Sequence, residues 1–178
     1  ISMPAYRDRK MKMIPGTSVS ELDRPNPPEL IHNVDLITKP VGTKEAKVPS
    51  GYLIPKDMEF IVEKLKRHGA KVTQLDKAIT VNGEAFVFSK MYYKTMGFAN
   101  YQMTTLDGEF KAMSKIFPIG TYQIDMAQPL ANVVFYALEP EVRDGFLGWN
   151  LLDDYLNNLG ANEIEVTYPF FKYFKKDN

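Results

Sequence analysis

Proline is distributed very unevenly along this chain of 178 residues, and its distribution limits where regular structure can form. Eight of the 12 prolines lie within the first 55 residues, and none lies between Lys56 and Phe117. Proline lacks a backbone N–H and has a fixed φ, so it interrupts helices and central strands. We therefore predict an extended, proline-rich leading segment over residues 1–48, packed on an α+β domain over residues 49–178, as one compact unit overall.

Charge and cysteine content exclude several classes of function. The 22 Lys and Arg residues balance 22 Asp and Glu residues, so no net field attracts nucleic acid or an anionic membrane surface. The chain has no cysteine, which excludes disulfides, thiolate metal sites and cysteine nucleophiles. No run of about 18 apolar residues is present. We predict neither a nucleic-acid partner nor a membrane span.

The clearest local pattern follows directly after the proline-rich segment. Apolar residues recur at helical spacing from Met58 to Leu65, which predicts a helix with one buried face. Strand-like stretches flank it at residues 51–54 and 71–75. A strand, a helix and a second strand in this order are typical of a crossover unit whose two strands are parallel.

The later part of the chain predicts antiparallel pairing and two more helices. Asn82-Gly83 and Asp107-Gly108 each separate two strand-like stretches and are typical of tight hairpin turns. The predicted fold is therefore α+β: a mixed, largely antiparallel sheet with one strand-helix-strand unit and two to three packed helices. Apolar spacing predicts the remaining elements, which are helices at residues 130–138 and 151–159, the second with Asn150 as candidate N-cap, and a closing strand at residues 164–170.

Residues suited to metal or nucleophilic chemistry are few and poorly grouped. His32, Asp35 and His68 together have the composition of an open zinc site. In a strand, however, a three-residue offset places His32 and Asp35 on opposite faces, and His68 is explained as a cation at a helix C-terminus. No nucleophile-elbow, phosphate-loop or dinucleotide-binding motif is present. We therefore predict no catalytic, cofactor-binding or metal-binding residue in this chain.

Acidic residues are concentrated between Glu139 and Glu165, where seven carboxylates accompany a single arginine. A charge run of this kind is most often a solvated surface, which is the interpretation we prefer. A calcium site or a carboxylate-dependent hydrolase that uses acids from residues 139–154 remains an alternative.

Aromatic residues cluster toward the C-terminus and indicate either core or an accessible surface. Rigid rings supply contact area at low entropic cost, as in sugar-binding platforms and protein interfaces. Alternation sends Tyr168 and Phe170 to one face of the closing strand and Phe171 and Tyr173 to the other, so both faces need cover. The candidate interface or ligand surface comprises Trp149, Tyr168, Phe170, Phe171 and Tyr173.

Three stretches spread over residues 49–172 form a recognisable set. They are Pro49-Ser50-Gly51-Tyr52-Leu53-Ile54-Pro55 continuing to His68-Gly69, Gly120-Thr121-Tyr122-Gln123-Ile124-Asp125 continuing to Glu139-Pro140-Glu141, and Asp144-Gly145-Phe146-Leu147-Gly148-Trp149-Asn150 followed by Tyr168-Pro169. In their order and spacing, these stretches resemble the C-terminal accessory domain found downstream of the catalytic domain in bacterial zinc carboxypeptidase-like proteins of the carboxypeptidase A type.

The resemblance implies a noncatalytic domain that docks on, or positions substrate for, an upstream catalytic domain of the same polypeptide. Family members hold zinc with an H-x-x-E pair and a distant histidine. None of that set is identifiable here, so zinc is expected in the upstream domain and no cofactor in this chain. The resemblance also implies a secreted or periplasmic location. Two alternatives are a binding module for a carbohydrate, peptide or small ligand, and a carboxylate-dependent hydrolase.

Overall fold

The structure is a computed structural model that describes residues 46–95 and 101–175, together with the backbone of two short strands nearer the N-terminus. The chain divides into two compact units, Ile1–Ala46 and Lys47–Asn178. This division falls two residues before the predicted boundary.

The first unit contains one antiparallel pair of short strands, β1 (Met3–Pro4) and β2 (Leu30–Ile31). Other parts of the predicted leading segment, including His32 and Asp35, lie outside the described residues. The packing of residues 1–48 on the domain therefore stays a prediction.

The second unit is built around a seven-stranded sheet. In chain order its elements are β3 (Gly51–Ile54), a 3-10 turn (Lys56–Met58), α1 (Glu59–Arg67), β4 (Thr73–Gln74), β5 (Ile79–Thr95), β6 (Gln102–Phe117), β7 (Tyr122–Asp125), α2 (Ala131–Leu138), α3 (Asp153–Asn158), β8 (Val166–Thr167) and β9 (Phe171–Tyr173). Six strands lie side by side in the order β4-β7-β3-β9-β5-β6, β8 adds to β5, and the pairings between described residues are antiparallel. This arrangement confirms the predicted α+β fold.

The predicted strand-helix-strand unit is present. Strands β3 and β4 both pair antiparallel with β7, which lies between them, so they run parallel to each other with α1 as the connection. Helix α1 buries Ile61, Val62 and Leu65 on one face, as its periodicity predicts. His68 lies at the C-cap of this helix, the place expected for a cation.

The two predicted hairpin turns are wrong. Strands β5 and β6 form one long antiparallel ribbon, and both Gly83 and Gly108 lie inside it rather than at its turn. A Cβ atom at Gly83 would lie 2.0 Å from the Lys172 carbonyl oxygen, and one at Gly108 would lie 2.2 Å from the Val87 carbonyl oxygen. These glycines permit close approach of backbones within the sheet, which is the other common reason for glycine in a strand.

Apolar side chains cover both faces of the sheet. The larger cluster contains the buried residues of α1, α2 and α3 together with Tyr168 and Phe170. A smaller separate cluster contains Leu53, Ala85, Phe117, Phe171 and Tyr173. The predicted alternation of the C-terminal aromatic residues is therefore confirmed, although the closing strand is split into β8 and β9. Among the described residues, no helix is long and apolar enough to cross a membrane.

Candidate functional site

Four of the five residues predicted as an interface or ligand surface are buried inside this chain. Tyr168, Phe170, Phe171 and Tyr173 all belong to the two apolar clusters. These rings form core rather than accessible surface, because both faces of β9 are covered by other residues of the same unit. Only Trp149 of the predicted set is largely exposed, at 55%.

Trp149 lies in the loop between α2 and α3 and is held by a ring contact and a backbone hydrogen bond. Its ring centroid is 5.1 Å from that of Tyr101, with an interplanar angle of 43°. Its backbone N–H donates to the Gly145 carbonyl oxygen. The ring therefore lies on the surface and is supported from one side by Tyr101.

An open groove of about 490 Å³ runs beside this ring, and we call it the Trp149 groove. Its apolar rim includes Tyr136 of α2, which is 60% exposed. This exposure shows that part of the apolar surface of α2 faces solvent rather than the core. Flat rings with a few polar side chains can stack on a sugar or on apolar groups of a peptide. The groove is lined by His68, Asn132, Val133, Tyr136, Ala137, Asp144, Phe146, Trp149 and Leu151.

Asn150 positions the loop that carries Trp149, and it does so differently from the prediction. Helix α3 begins at Asp153 without a side-chain cap from Asn150. Instead, Asn150 has a φ of 61° and its side-chain amide pairs with the backbone of the edge strand β6. The amide oxygen accepts from the Thr104 N–H at 3.2 Å, and the amide nitrogen donates to the Gln102 carbonyl oxygen at 2.9 Å. The sequence motif predicted a cap because asparagine serves equally well in both roles.

The carboxylate of Asp153 lies near two tyrosines, one of which, Tyr101, packs against the Trp149 ring. Asp153 accepts a hydrogen bond from the Thr104 hydroxyl at 2.7 Å. Burial, followed by the charge of Asp153, raises the pKa of Tyr101 and of Tyr93 above the ordinary value for tyrosine. Both phenols therefore keep their protons at neutral pH and remain hydrogen-bond donors.

A charged cluster is sealed inside the core on the helix side of the sheet. Lys172 of β9 and Glu139 at the end of α2 are each 2% exposed, and the lysine Nζ lies 2.7 Å from Oε2 of the glutamate. Tyr52 of β3, the cross-strand neighbour of Lys172, donates its hydroxyl to Oε1 of Glu139 at 2.5 Å. The lysine Nζ also lies 3.8 Å from the centre of the Phe110 ring.

Burial dominates the protonation behaviour of this cluster. It raises the pKa of Glu139, against the opposing effect of the hydrogen bonds from Lys172 and Tyr52. It also raises the pKa of Tyr52, with the Glu139 charge acting in the same direction. The pKa of Tyr168 is raised well above its ordinary value by burial and then by Glu139. Among the described residues, no hydrogen-bond partner faces the Tyr168 hydroxyl.

The acidic region from Glu139 to Glu165 is not one surface. Glu139 is in the core, Asp144 lines the Trp149 groove, and Glu165 forms an exposed ion pair with Lys111 at 3.1 Å. In the parts of the chain that the structure describes, no group of three or more His, Asp or Glu side chains is placed to hold a metal ion.

Sequence reasoning missed the buried cluster, although one signal was available. Lys172 is the lone cation between two aromatic residues in a strand that is apolar on both faces. A lysine in that setting needs a buried partner, because an isolated charge in the core is very unfavourable.

Comparison with known proteins finds distant relatives. The chain is 27% identical over 149 residues to Carboxypeptidase 2 of Trichophyton rubrum, a match that covers 82% of this chain and 26% of the relative. It is 28% identical over 109 residues to Carboxypeptidase 2 of Trichophyton tonsurans, covering 58% of this chain and 19% of the relative.

These relatives are fungal, whereas the resemblance noted in the sequence was to bacterial proteins. The chain spans about a quarter of the length of the first relative and less of the second. No family model matches the chain, and no solved structure matches it significantly. The chain is thus related in sequence to part of a carboxypeptidase.

Proposed function

We propose that Lys47–Asn178 is a noncatalytic domain of a zinc carboxypeptidase-like protein, where it docks on the catalytic domain or positions its substrate. The observation that carries this proposal is the coverage of the similarity. Most of this chain matches only about a quarter of a much longer carboxypeptidase, as expected for one domain of such a protein.

The surface of the unit supports a docking role. Trp149 and Tyr136 are both more than half exposed, and both line the same open, mainly apolar groove. Exposed aromatic rings in a concave apolar surface are typical of interfaces with another protein or with a ligand. We assign this contact to the Trp149 groove, since the other predicted rings are buried.

The remaining properties of the longer protein follow from the family resemblance. Zinc would be held by its catalytic domain, and the described residues here are assigned no zinc chemistry because they contain no suitable ligand group. A secreted or periplasmic location and a bacterial parent belong to the same proposal.

The test compares amide hydrogen exchange in the 178-residue chain alone and in the same chain joined to its catalytic domain. Docking should slow exchange in α2 and in the loop that carries Trp149. Trp149→Ala in the joined protein should remove much of that slowing. Ile116→Ala is the matched control, because Ile116 is 69% exposed and lines a different groove. Equal exchange in the isolated and joined chains would contradict docking.

A binding module for a carbohydrate or peptide is the second candidate, favoured by polar side chains in the same groove. His68, Asn132 and Asp144 lie beside the exposed rings and could orient a ligand that stacks on Trp149. Trp149 is the chain's single tryptophan, so its fluorescence reports directly on this groove. A saturable change in emission on titration with oligosaccharides or peptides supports this candidate, and emission that never changes contradicts it.

A carboxylate-dependent hydrolase has the weakest geometric support. Glu139, the first acid of the region invoked for it, is buried against Lys172 and Tyr52 and does not reach solvent. A catalytic acid must contact its substrate, so this residue is unsuited to that role.

A further inference from the structure

We propose that Lys172 and Glu139 condense within the folded chain to form an intramolecular isopeptide bond, an amide between the lysine Nζ and the glutamate Cδ. The two groups lie in contact, with Nζ 2.7 Å from Oε2, and both side chains are sealed from solvent. The bond would join the end of α2 covalently to β9. This inference concerns the core of the unit and does not depend on the proposed carboxypeptidase association.

The surroundings of the two groups are apolar and exclude water. The lysine Nζ lies 3.8 Å from the Phe110 ring centre and 6.0 Å from that of Phe135, and the carboxylate is equally buried. A buried ion pair loses much of its hydration, so proton transfer within the pair to give a neutral amine and a neutral acid becomes less costly than in water. The neutral amine is the nucleophile, and the protonated carboxyl is the better electrophile.

The fold holds the reactants in place. Lys172 is fixed by pairing of β9 with both β3 and β5, while Glu139 directly follows the last residue of α2. Well-oriented intramolecular reactions reach effective concentrations of roughly 10⁵–10⁸ M, which compensates for a weak electrophile.

Tyr52 provides the stabilising group for the developing charge. Its hydroxyl donates to Oε1 of Glu139 at 2.5 Å, the oxygen that becomes the amide carbonyl. A donor held at this position stabilises the negative charge that forms on Oε1 when the amine adds to Cδ. Tyr168, whose buried hydroxyl has no hydrogen-bond partner among the described residues, is close enough for the Glu139 charge to raise its pKa.

The reaction balances without an oxidant or any co-reactant. The ammonium of Lys172 gives one proton to Oε2 of Glu139, and the lone pair on Nζ then forms a bond to Cδ. Nζ releases a second proton to Oε2, the bond between Cδ and Oε2 breaks, and one water molecule leaves. The product is a neutral secondary amide, which removes both charges from the core.

The test is the intact mass of the full chain under denaturing conditions. The linked chain should be about 18 Da lighter than its sequence requires, because one water is lost. After trypsin digestion, the peptide containing Glu139 should be recovered joined to the peptide containing Lys172. A full mass in a chain that is folded by circular dichroism, both fresh and after prolonged incubation, would overturn the proposal and leave the pair as a buried ion pair.

Two controls separate this reaction from other sources of water loss. Lys111 and Glu165 form an exposed pair of the same chemistry, with Nζ and Oε2 3.1 Å apart, and should remain unlinked because both are hydrated. Asp107-Gly108 and Asp144-Gly145 can each lose one water by forming a succinimide, which mild alkali reopens, whereas the isopeptide bond survives this treatment. Loss of water that maps to Asp107 or Asp144, or that reopens in alkali, would contradict the assignment to Lys172.

Variants test the roles of the two groups. Lys172→Met should restore the full mass, and persistence of the lighter mass in this variant would overturn the proposal. Tyr52→Phe retains the ring and removes the hydroxyl, so the rate of mass loss should fall by roughly 10²–10³-fold. If Lys172→Met does not fold, the mass and peptide map of the unmodified sequence still decide the outcome.

Discussion

Replacing Phe171 with alanine tests whether the C-terminal aromatic strand belongs to the core of this chain or covers another domain. Phe171 is 1% exposed, and its ring centroid is 5.0 Å from that of Phe117. A buried phenylalanine removes roughly 150–250 Å² from water, which at about 25 cal/mol per Å² corresponds to about 4–6 kcal/mol. Alanine keeps part of that burial but leaves a cavity, so Phe171→Ala should lower the free energy of unfolding by about 3–5 kcal/mol.

Urea unfolding of the chain on its own, followed by far-UV circular dichroism, measures this change. Trp149→Ala is the matched control: its ring is more than half exposed, and the smaller buried area corresponds to a loss of about 2 kcal/mol. The reasoning is refuted if Phe171→Ala costs less than about 1 kcal/mol, which is typical of a surface substitution. In that case the ring would not be covered within this chain.

Three further changes test other parts of the structure. Gly83→Ala should destabilise the sheet strongly, since the new Cβ would lie 2.0 Å from the Lys172 carbonyl oxygen, and an unchanged urea midpoint would contradict that contact. Asn150→Ala removes the amide that pairs with the β6 backbone and should speed hydrogen exchange at the start of β6 but not in β7; equal exchange would show that the pairing contributes nothing. Hydrogen bonding to Lys175 holds the pKa of Asp125 below its ordinary value of 3.8. The pair therefore stabilises the folded chain when the pH is above 3.8, and this stabilisation is lost as the pH falls through the lowered pKa. Lys175→Met should therefore reduce the loss of stability between about pH 5 and pH 2, and an identical pH profile would exclude this linkage.

The helices were predictable from spacing alone. In α1, apolar residues repeat at the period of one helical face, and the structure buries Ile61, Val62 and Leu65 on that face. The same reasoning located α2, whose last residue is followed by Glu139 and Pro140. A periodic pattern of this length is local, so no knowledge of distant neighbours is needed to interpret it.

The glycine-containing dipeptides show where local reasoning stops. Asn82-Gly83 and Asp107-Gly108 have the composition of tight turns, yet both lie within the long β5–β6 ribbon. At Gly83 the deciding factor is a backbone of β9 that arrives from far along the chain and leaves no room for a side chain. A dipeptide carries no information about which strand will lie beside it.

The candidate site, too, was predictable from sequence only in part. The exposed ring of Trp149 was singled out from sequence, but the groove around it combines residues from the end of α1, from α2 and from the following loop. The pairing of Lys172 with Glu139 was not predicted, because acidic residues in a charge run are usually solvated. Sheet pairing and the end of α2 bring these two residues together in the core.

By itself the sequence determined the positions of α1 and α2, the α+β class and the alternation of the C-terminal aromatic residues. These features depend on the spacing of apolar residues that are close to one another in the chain. Only the tertiary structure decided which of those rings are accessible, why Gly83 lies in a strand, and which buried acid meets Lys172. Burial and close contact are properties of residues far apart in the chain, and the sheet that brings them together exists only when the whole unit has folded.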